Sequence, residues 1–437
     1  MNYSQNLKNQ LFSIIHQMSQ RPEPFVSSPK TDFSRNRKLN FEIMIKLILS
    51  MEAGSVRREL LRFFNFSSDT ASPSAFIQQR KKISASAFEY LLHSFRPSFP
   101  KKSYKGYHPV ACDGSVVTIP LECKPQNDAY QYIRLREGQK PYHQLHVTVL
   151  HDILNDCYLD AFIEPRKGHD ERKALNSLIE KKNFSQKTIF IADRGFEGYA
   201  LMAQIIQSGM FFLIRVKDGR SGGLIKGFSL PKSGEYDKTF TYTYTSGRSS
   251  MVMEHPDIYK SIHYTSSPYF LNPQRAFYKM TLRVVCIKLN SNEYECLITN
   301  LPQEEFSVDD LKKLYGMRWG VETSFCSLKY STGMLYFHSK KVKFIVQEIW
   351  AHLLMYNFYS AITSQIRLTS NGKKYRYKPN FTDAVHICRY FLKVCNDETP
   401  PDIETLLLKG MLPVRPDRQF PRKKRNIPAI GFHYRVI

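Results

Sequence analysis

The chain has 437 residues, with 63 Lys and Arg against 39 Asp and Glu, a formal net charge of +24. A hydrophobic fraction of 42% with 23% charged residues excludes a wholly disordered chain, and the length suits two or three domains. So positive a chain points to a polyanionic partner, nucleic acid first and an anionic membrane surface second.

Residues 1–105 read as a helical DNA-binding domain. Asn40 caps a helix over 41–51, and Ser55 caps another that carries Arg57 and Arg58. Ser72 followed by Pro73 places a capping hydroxyl before a proline in the first turn. The helix it opens carries Phe76 and Ile77 inward, then Gln78, Gln79, Arg80, Lys81 and Lys82. Two short helices joined by residues 65–71 suit docking on DNA in the manner of a helix-turn-helix. The expected contacts are Arg57, Arg58, Gln78, Arg80, Lys81 and Lys82, with Gln78 and Arg80 as base readers. A helical bundle with a solvated basic face is the plainer alternative.

From Tyr107 the period changes to that of strands, rich in Val, Ile, Tyr and Leu, over 109–119, 144–152 and 157–165. A helix over 170–182, a strand over 187–193, a helix over 199–208 and a strand over 211–217 follow. That order is the order of a ribonuclease-H-like α/β domain. Residues 219–305 read as a β-rich insertion, with Asn290-Ser291-Asn292 marking a hairpin. Ser307 with Asp309 and Asp310 opens a long helix to about residue 330, and a second covers 343–366. Residues 373–378 read as a basic loop, 383–394 as a last helix and Arg422-Lys423-Lys424-Arg425 as part of a basic tail. The expected organisation is a DNA-binding domain over 1–105 and a catalytic domain over 106–218 and 306–367. The insertion occupies 219–305, and a basic helical region 368–437.

No secretory signal opens the chain. The most apolar run, 346–362, is broken by Gln347, Glu348, His352 and Asn357, so it reads as a buried amphipathic helix rather than a membrane span. The eight cysteines stand singly, without zinc spacing, as free thiols of a reducing cytoplasm would.

The most informative pattern is Tyr315, Arg318, Glu322 and Lys329, at offsets 0, 3, 7 and 14. At about 100° per residue they share a stripe about 60° wide on one helix. A carboxylate between two cations suits a phosphate site, with Glu322 on a metal and Arg318 and Lys329 on phosphate oxygens. The alternative is a solvated i, i+4 salt-bridge face. Two aspartates tip the balance. Asp193 ends an apolar strand, where ligand sites of α/β sheets lie. Asp113 stands inside another, where a charge is costly unless paired or metal-bound.

Asp113, Asp193 and Glu322, with Tyr315, Arg318 and Lys329 around the last, resemble a DDE transposase of the insertion-sequence group four. Its Y-x2-R-x3-E-x6-K signature is matched at all four positions. Ala111-Cys112-Asp113-Gly114-Ser115 and Ala192-Asp193-Arg194-Gly195-Phe196 resemble the family's surroundings of its aspartates. The resemblance spans about 35–358. It implies a ribonuclease-H-like catalytic domain and three carboxylates on two Mg²⁺ ions, with Mn²⁺ a possible substitute. It implies cleavage of transposon ends and strand transfer to target DNA, with Tyr315 contacting phosphate or a base edge. The partners implied are double-stranded DNA, as terminal inverted repeats and target, and a second copy of the chain in the DNA complex. The place implied is a bacterial cytoplasm, at the nucleoid. A ribonuclease-H-like nuclease and a non-catalytic DNA-binding derivative are the rivals. The match around Glu322 argues against the first, and the complete motif against the second. If a hairpin intermediate forms, Tyr264, Tyr269, Phe270 and Tyr278 are its expected aromatic platform, while Trp319 is assigned to core packing.

Overall fold

The computed structural model describes residues 3–35, 37–95, 102–120, 130–132, 142–181, 184–247, 249–262, 277–289, 293–366, 375–393 and 400–415. Five helices come first: α1 (Tyr3–Gln20), α2 (Phe41–Ser50), α3 (Val56–Phe63), α4 (Pro73–Lys82) and α5 (Ser86–Ser94). The predicted caps form. Asn40, Ser55 and Ser72 accept hydrogen bonds from the backbone N–H of Ile43, Arg58 and Ala75, satisfying donors that the first turn leaves open. On α4 Phe76 faces inward, as do Gln79 and Arg80. Ile77, expected beside it in the core, is 45% exposed, because neighbouring helical positions diverge by about 100°.

The chain then builds a mixed α/β unit around one large sheet. Its elements are β1 (His108–Ile119), β2 (Gln131–Tyr132), β3 (Tyr142–Asp152), β4 (Cys157–Pro165), α6 (Glu171–Lys181), β5 (Thr188–Ala192), α7 (Tyr199–Gln207) and β6 (Phe211–Val216). There follow β7 (Tyr236–Thr245), α8 (Ser250–Glu254), β8 (Tyr259–Ser261), β9 (Tyr278–Lys288) and β10 (Tyr294–Thr299). Among the described residues the sheet has ten strands in the order β2-β3-β1-β5-β6-β10-β9-β7-β8, with β4 also paired to β3. β1, β5 and β6 run parallel at its centre, and β3 and β10 flank them antiparallel. The β-rich segment is therefore not set apart from the sheet. Its β10 pairs with β6 and carries the sheet outward. The expected turn at 290–292 lies outside the described residues, while the strands on either side of it pair antiparallel.

The long helix expected from Ser307 forms in pieces: α9 (Val308–Met317), α10 (Trp319–Cys326) and a π turn over Ser327–Ser331. Ser307 and Asp310 make a reciprocal capping box at its start. After it come α11 (Val342–Gln365), β11 (Arg376–Pro379), α12 (Phe381–Lys393), α13 (Ile403–Lys409) and β12 (Met411–Val414). Part of the expected basic loop is thus a strand, with β11 paired antiparallel to β12. The basic tail at 422–425 lies outside the described residues.

Strand β1 is covered on both faces. Ala111 and Val117 face a core shared by α1–α5, α10, α11, α12 and α13, while Val110 and Cys112 face α6 and α7. The central helix α11 is buried all round rather than amphipathic, with Gln347, Glu348, His352 and Asn357 inside it. No helix among the described residues is long and apolar enough to cross a membrane. The described cysteines Cys112, Cys157, Cys286, Cys296, Cys326 and Cys388 are free thiols.

Candidate active site

The last rungs of the β1–β5 ladder pair Cys112 with Ala192, so the next residues, Asp113 and Asp193, stand side by side. Each is fixed by its own following backbone. The Gly114 N–H donates to Asp113 Oδ1 at 2.7 Å, and the Gly195 N–H donates to Asp193 Oδ1 at 2.9 Å. Asp193 thereby caps the short 3-10 turn Arg194–Phe196.

Helix α10 lies against β1 and brings the third carboxylate. Arg318, at the junction of α9 and α10, joins the two elements. Its Nη1 donates to Asp113 Oδ2 at 3.3 Å and its Nη2 to Glu322 Oε1 at 2.8 Å. The guanidinium is buried, at 7% side-chain exposure, so this is no solvated surface pair. Burial opposes its charge, yet Tyr315, Glu322 and Asp113 together hold it more firmly protonated than usual. Asp113 is pushed up to about 6, by burial first. The Gly114 N–H and Arg318 oppose that rise, and Asp193 and Glu322 add to it. A concentration of carboxylates this poorly matched by positive charge, offering hard oxygen donors, fits a hard divalent cation.

The other members of the stripe behave differently. Tyr315 is 4% exposed and packs among Ile189, Ile191, Leu213 and Leu297, so its expected contact with DNA is replaced by a place in the core. Lys329 lies on the π turn, where the 100° step no longer holds, and its ammonium donates to the Val116 carbonyl at 3.1 Å. Burial lowers its pKa. Arg318 is committed to the two carboxylates rather than facing open solvent as a phosphate clamp would. Trp319, assigned by sequence to the core, is 48% exposed, and its ring lies 5.8 Å from the Arg318 Cζ. Of the aromatic platform, Tyr264, Tyr269 and Phe270 lie outside the described residues, and Tyr278 is half-buried.

In the helical region Arg57, Arg58, Gln78 and Lys81 are exposed and Lys82 is half-buried. Arg80 is not available: it is 1% exposed and bonded to Glu348, Gln347 Oε1 and the Phe344 carbonyl. An arginine inside a basic run reads as surface, but its buried partners lie far along the chain.

Sequence reasoning also missed Glu171 and His146. Glu171 opens α6, and His146 sits on β3 opposite Val116 of β1. His146 Nε2 lies 3.5 Å from Glu171 Oε1. The readable signal was a pair of glycines, Gly114 and Gly195, each within two residues of an aspartate.

Residues 105–358 match the family model of the transposase DDE domain. No curated protein matches the chain. Among solved structures the chain is similar to the piggyBac transposase in a cryo-EM synaptic complex with hairpin DNA. That likeness has 9% identity over 89% of this chain and 80% of that one, at a TM-score of 0.48.

Proposed function

The chain belongs to the transposase DDE-domain family and is a DNA transposase, an enzyme that cuts and transfers DNA strands; we propose that Asp113, Asp193 and Glu322 are its catalytic carboxylates. The observation that carries this assignment is Arg318, whose buried guanidinium ties Asp113 to Glu322 while Asp193 stands on the adjacent parallel strand. The pairing of β1 with β5 and the Arg318 bridge to Glu322 support drawing these three carboxylates to one site. The central sheet with its order of strands and helices supports a ribonuclease-H-like core, extended by the β-rich segment 219–305.

Family members use divalent cations, and Mg²⁺ is the ion these hard donors suit. Bound Mg²⁺ supplies Lewis-acid polarisation of the scissile phosphate and of the attacking oxygen. The chain's own part is orientation. The Gly114 and Gly195 amides fix one oxygen of each aspartate, and Arg318 holds the other oxygen of Asp113. Arg318 is a positioning residue, holding Asp113 and Glu322 in register across two elements. No protein nucleophile is needed, because water and then the freed 3′-hydroxyl are the attacking groups.

Arg57, Arg58, Gln78, Lys81 and Lys82 form the proposed surface for transposon ends, with Lys329 nearer the scissile phosphate. The +24 charge supports duplex DNA as the ligand, through terminal repeats and target, with two copies of the chain in the complex. The amino-terminal helices are proposed as the DNA-binding part, 106–218 with 306–367 as the catalytic part and 368–437 as a basic accessory region. The cell's cytoplasm, at the nucleoid, is the proposed place of action. The test is Mg²⁺-dependent cleavage of a labelled transposon-end duplex. Asp113→Asn, Asp193→Asn and Glu322→Gln should each abolish cleavage and retain binding in a gel-shift assay. Cleavage by Asp193→Asn at the wild-type rate would overturn the assignment.

A further inference from the structure

We propose that Glu171 is a fourth carboxylate of the cation site formed by Asp113, Asp193 and Glu322, and that His146 positions it. This rests on the assignment of that triad.

Glu171 reaches both aspartate loops. Its Oε1 lies 2.8 Å from the point a Cβ on Gly114 would occupy, and its Oε2 lies 2.2 Å from the corresponding point on Gly195. Asp193 Oδ1 lies 3.2 Å from that second point. One carboxylate therefore lies between the residue after Asp113 and the residue two beyond Asp193, with Oε2 beside Gly195.

The glycines supply an independent argument. Neither Gly114 nor Gly195 is among the positive-φ glycines, so backbone conformation does not demand glycine at either position. The demand is steric. A methyl group on Gly195 would strike the Glu171 carboxylate, and one on Gly114 would strike the His146 ring first, at 2.4 Å, and then that carboxylate, at 2.8 Å. The two glycines beside the two aspartates thus keep open the space that Glu171 and the His146 ring beside it fill.

His146 explains how Glu171 is held there. Its ring is 2% exposed, with Nε2 3.5 Å from Glu171 Oε1 and Nδ1 3.3 Å from Thr148 Oγ1. The His169 ring lies against it, centroids 4.0 Å apart. Holding Oε1 from behind leaves Oε2 for a cation, the usual division of labour between a ligand and the residue that orients it. His146, His169 and Glu171 also bring their donor atoms within 4.8 Å of one another, a set that could take a softer ion such as Zn²⁺. The approach of Oε2 and Asp193 Oδ1 to one point beside Gly195 favours the shared site.

The experiment measures Mn²⁺ binding to the full chain by calorimetry and by the electron paramagnetic resonance of free Mn²⁺. Glu171→Gln should weaken Mn²⁺ binding about tenfold, with Asp113→Asn and Asp193→Asn weakening it at least as much. His146→Ala should weaken it several-fold, while His146→Gln, whose amide nitrogen reaches the place of Nε2, should restore most of the loss. Gly195→Ala keeps every carboxylate but displaces Glu171. It should weaken binding in the wild-type chain and add nothing in Glu171→Ala, a comparison that separates the cradle from a general loss of fold. An equal loss in both backgrounds would overturn the proposal. So would wild-type Mn²⁺ affinity in Glu171→Gln while Asp113→Asn and Asp193→Asn lose it, a result that leaves the triad standing. Wild-type affinity in all three variants would overturn the triad as well. Zn²⁺ binding abolished by His169→Gln, with Mn²⁺ binding indifferent to Glu171, would replace the shared site by a separate one.

Discussion

Arg80 of α4 and Glu348 of α11 form an ion pair inside the protein, with Nη2 2.8 Å from Oε1 and side-chain exposures of 1% and 3%. The carboxylate's second oxygen lies 3.0 Å from His338 Nδ1, and Gln347 and the Phe344 carbonyl complete the guanidinium's hydrogen bonds. Every charge here is answered, which is the condition under which burial of an ion pair is tolerated. The pair fixes an amino-terminal helix to the central one.

Arg80→Ala should therefore act on stability and not on DNA recognition. Removing one partner of a buried pair costs about 3–5 kcal/mol, so the urea midpoint should fall sharply. The salt dependence of end binding by the remaining folded protein should match wild type. A salt slope reduced by about one unit, with normal stability, would mean that Arg80 contacts phosphate.

The opposite pattern is expected for the exposed cations. Arg57→Ala, Arg58→Ala and Lys81→Ala should leave the melting curve unchanged and each reduce the salt slope by about one unit per lost phosphate contact. Gln78→Ala should relax sequence preference by about 1–3 kcal/mol at one base pair, read by competition with mutated ends.

Arg318→Lys separates positioning from phosphate binding. Lysine keeps the charge but cannot present two nitrogens to Asp113 and Glu322 at once. Cleavage should fall by about 10- to 100-fold with the salt slope of binding unchanged. A lower slope with near-normal cleavage would instead make Arg318 a phosphate contact.

Acid should destabilise the protein in two stages. Burial pushes His352 down to about 3, with Arg389 and His338 adding and Glu348 opposing. Burial would raise Glu348, but Arg80 and His338 outweigh it and hold the carboxyl at about 2. Both folded-state values lie below the unfolded ones, about 6.5 and 4.3, so the unfolded chain binds more protons. The contribution of these two groups to stability is complete above about pH 6.5 and falls with pH, first through His352 and then, below about 4.3, through Glu348, while Asp113, raised to about 6, acts in the opposite direction. Urea midpoints measured from pH 7.5 to 4 should decline, and His352→Gln should flatten the upper part of that decline.

Local signals in the sequence were reliable where the physics was local. The caps at Asn40, Ser55 and Ser72 need only a side chain and the next turn, and the strands around Asp113 and Asp193 announce themselves by their β-branched runs. What stayed hidden depended on partners distant in sequence. Arg80 looks like its basic neighbours until Glu348 is brought to it. Trp319 looks like core, yet it is 48% exposed beside the buried Arg318. Glu171 looks like an acidic residue favoured by the helix dipole, a common feature of a first turn, and its place between two aspartate loops follows only from the pairing of β1 with β5. The strands after residue 235 read as a separate insertion because pairing of β10 to β6 leaves no mark in either segment alone.

The core shared by α1–α5, α11, α12 and α13 has a consequence for how the protein is made. On this side of the sheet α10 lies against β1 and α11 against β4, so most of the chain must leave the ribosome before the face can be closed. Until then an emerging chain carries Ala111, Val117, Val147 and Val149 on an uncovered sheet, open to aggregation. Folding of this side is therefore a late event in synthesis, and a chain truncated before α11 should need chaperone protection rather than yield a smaller working enzyme.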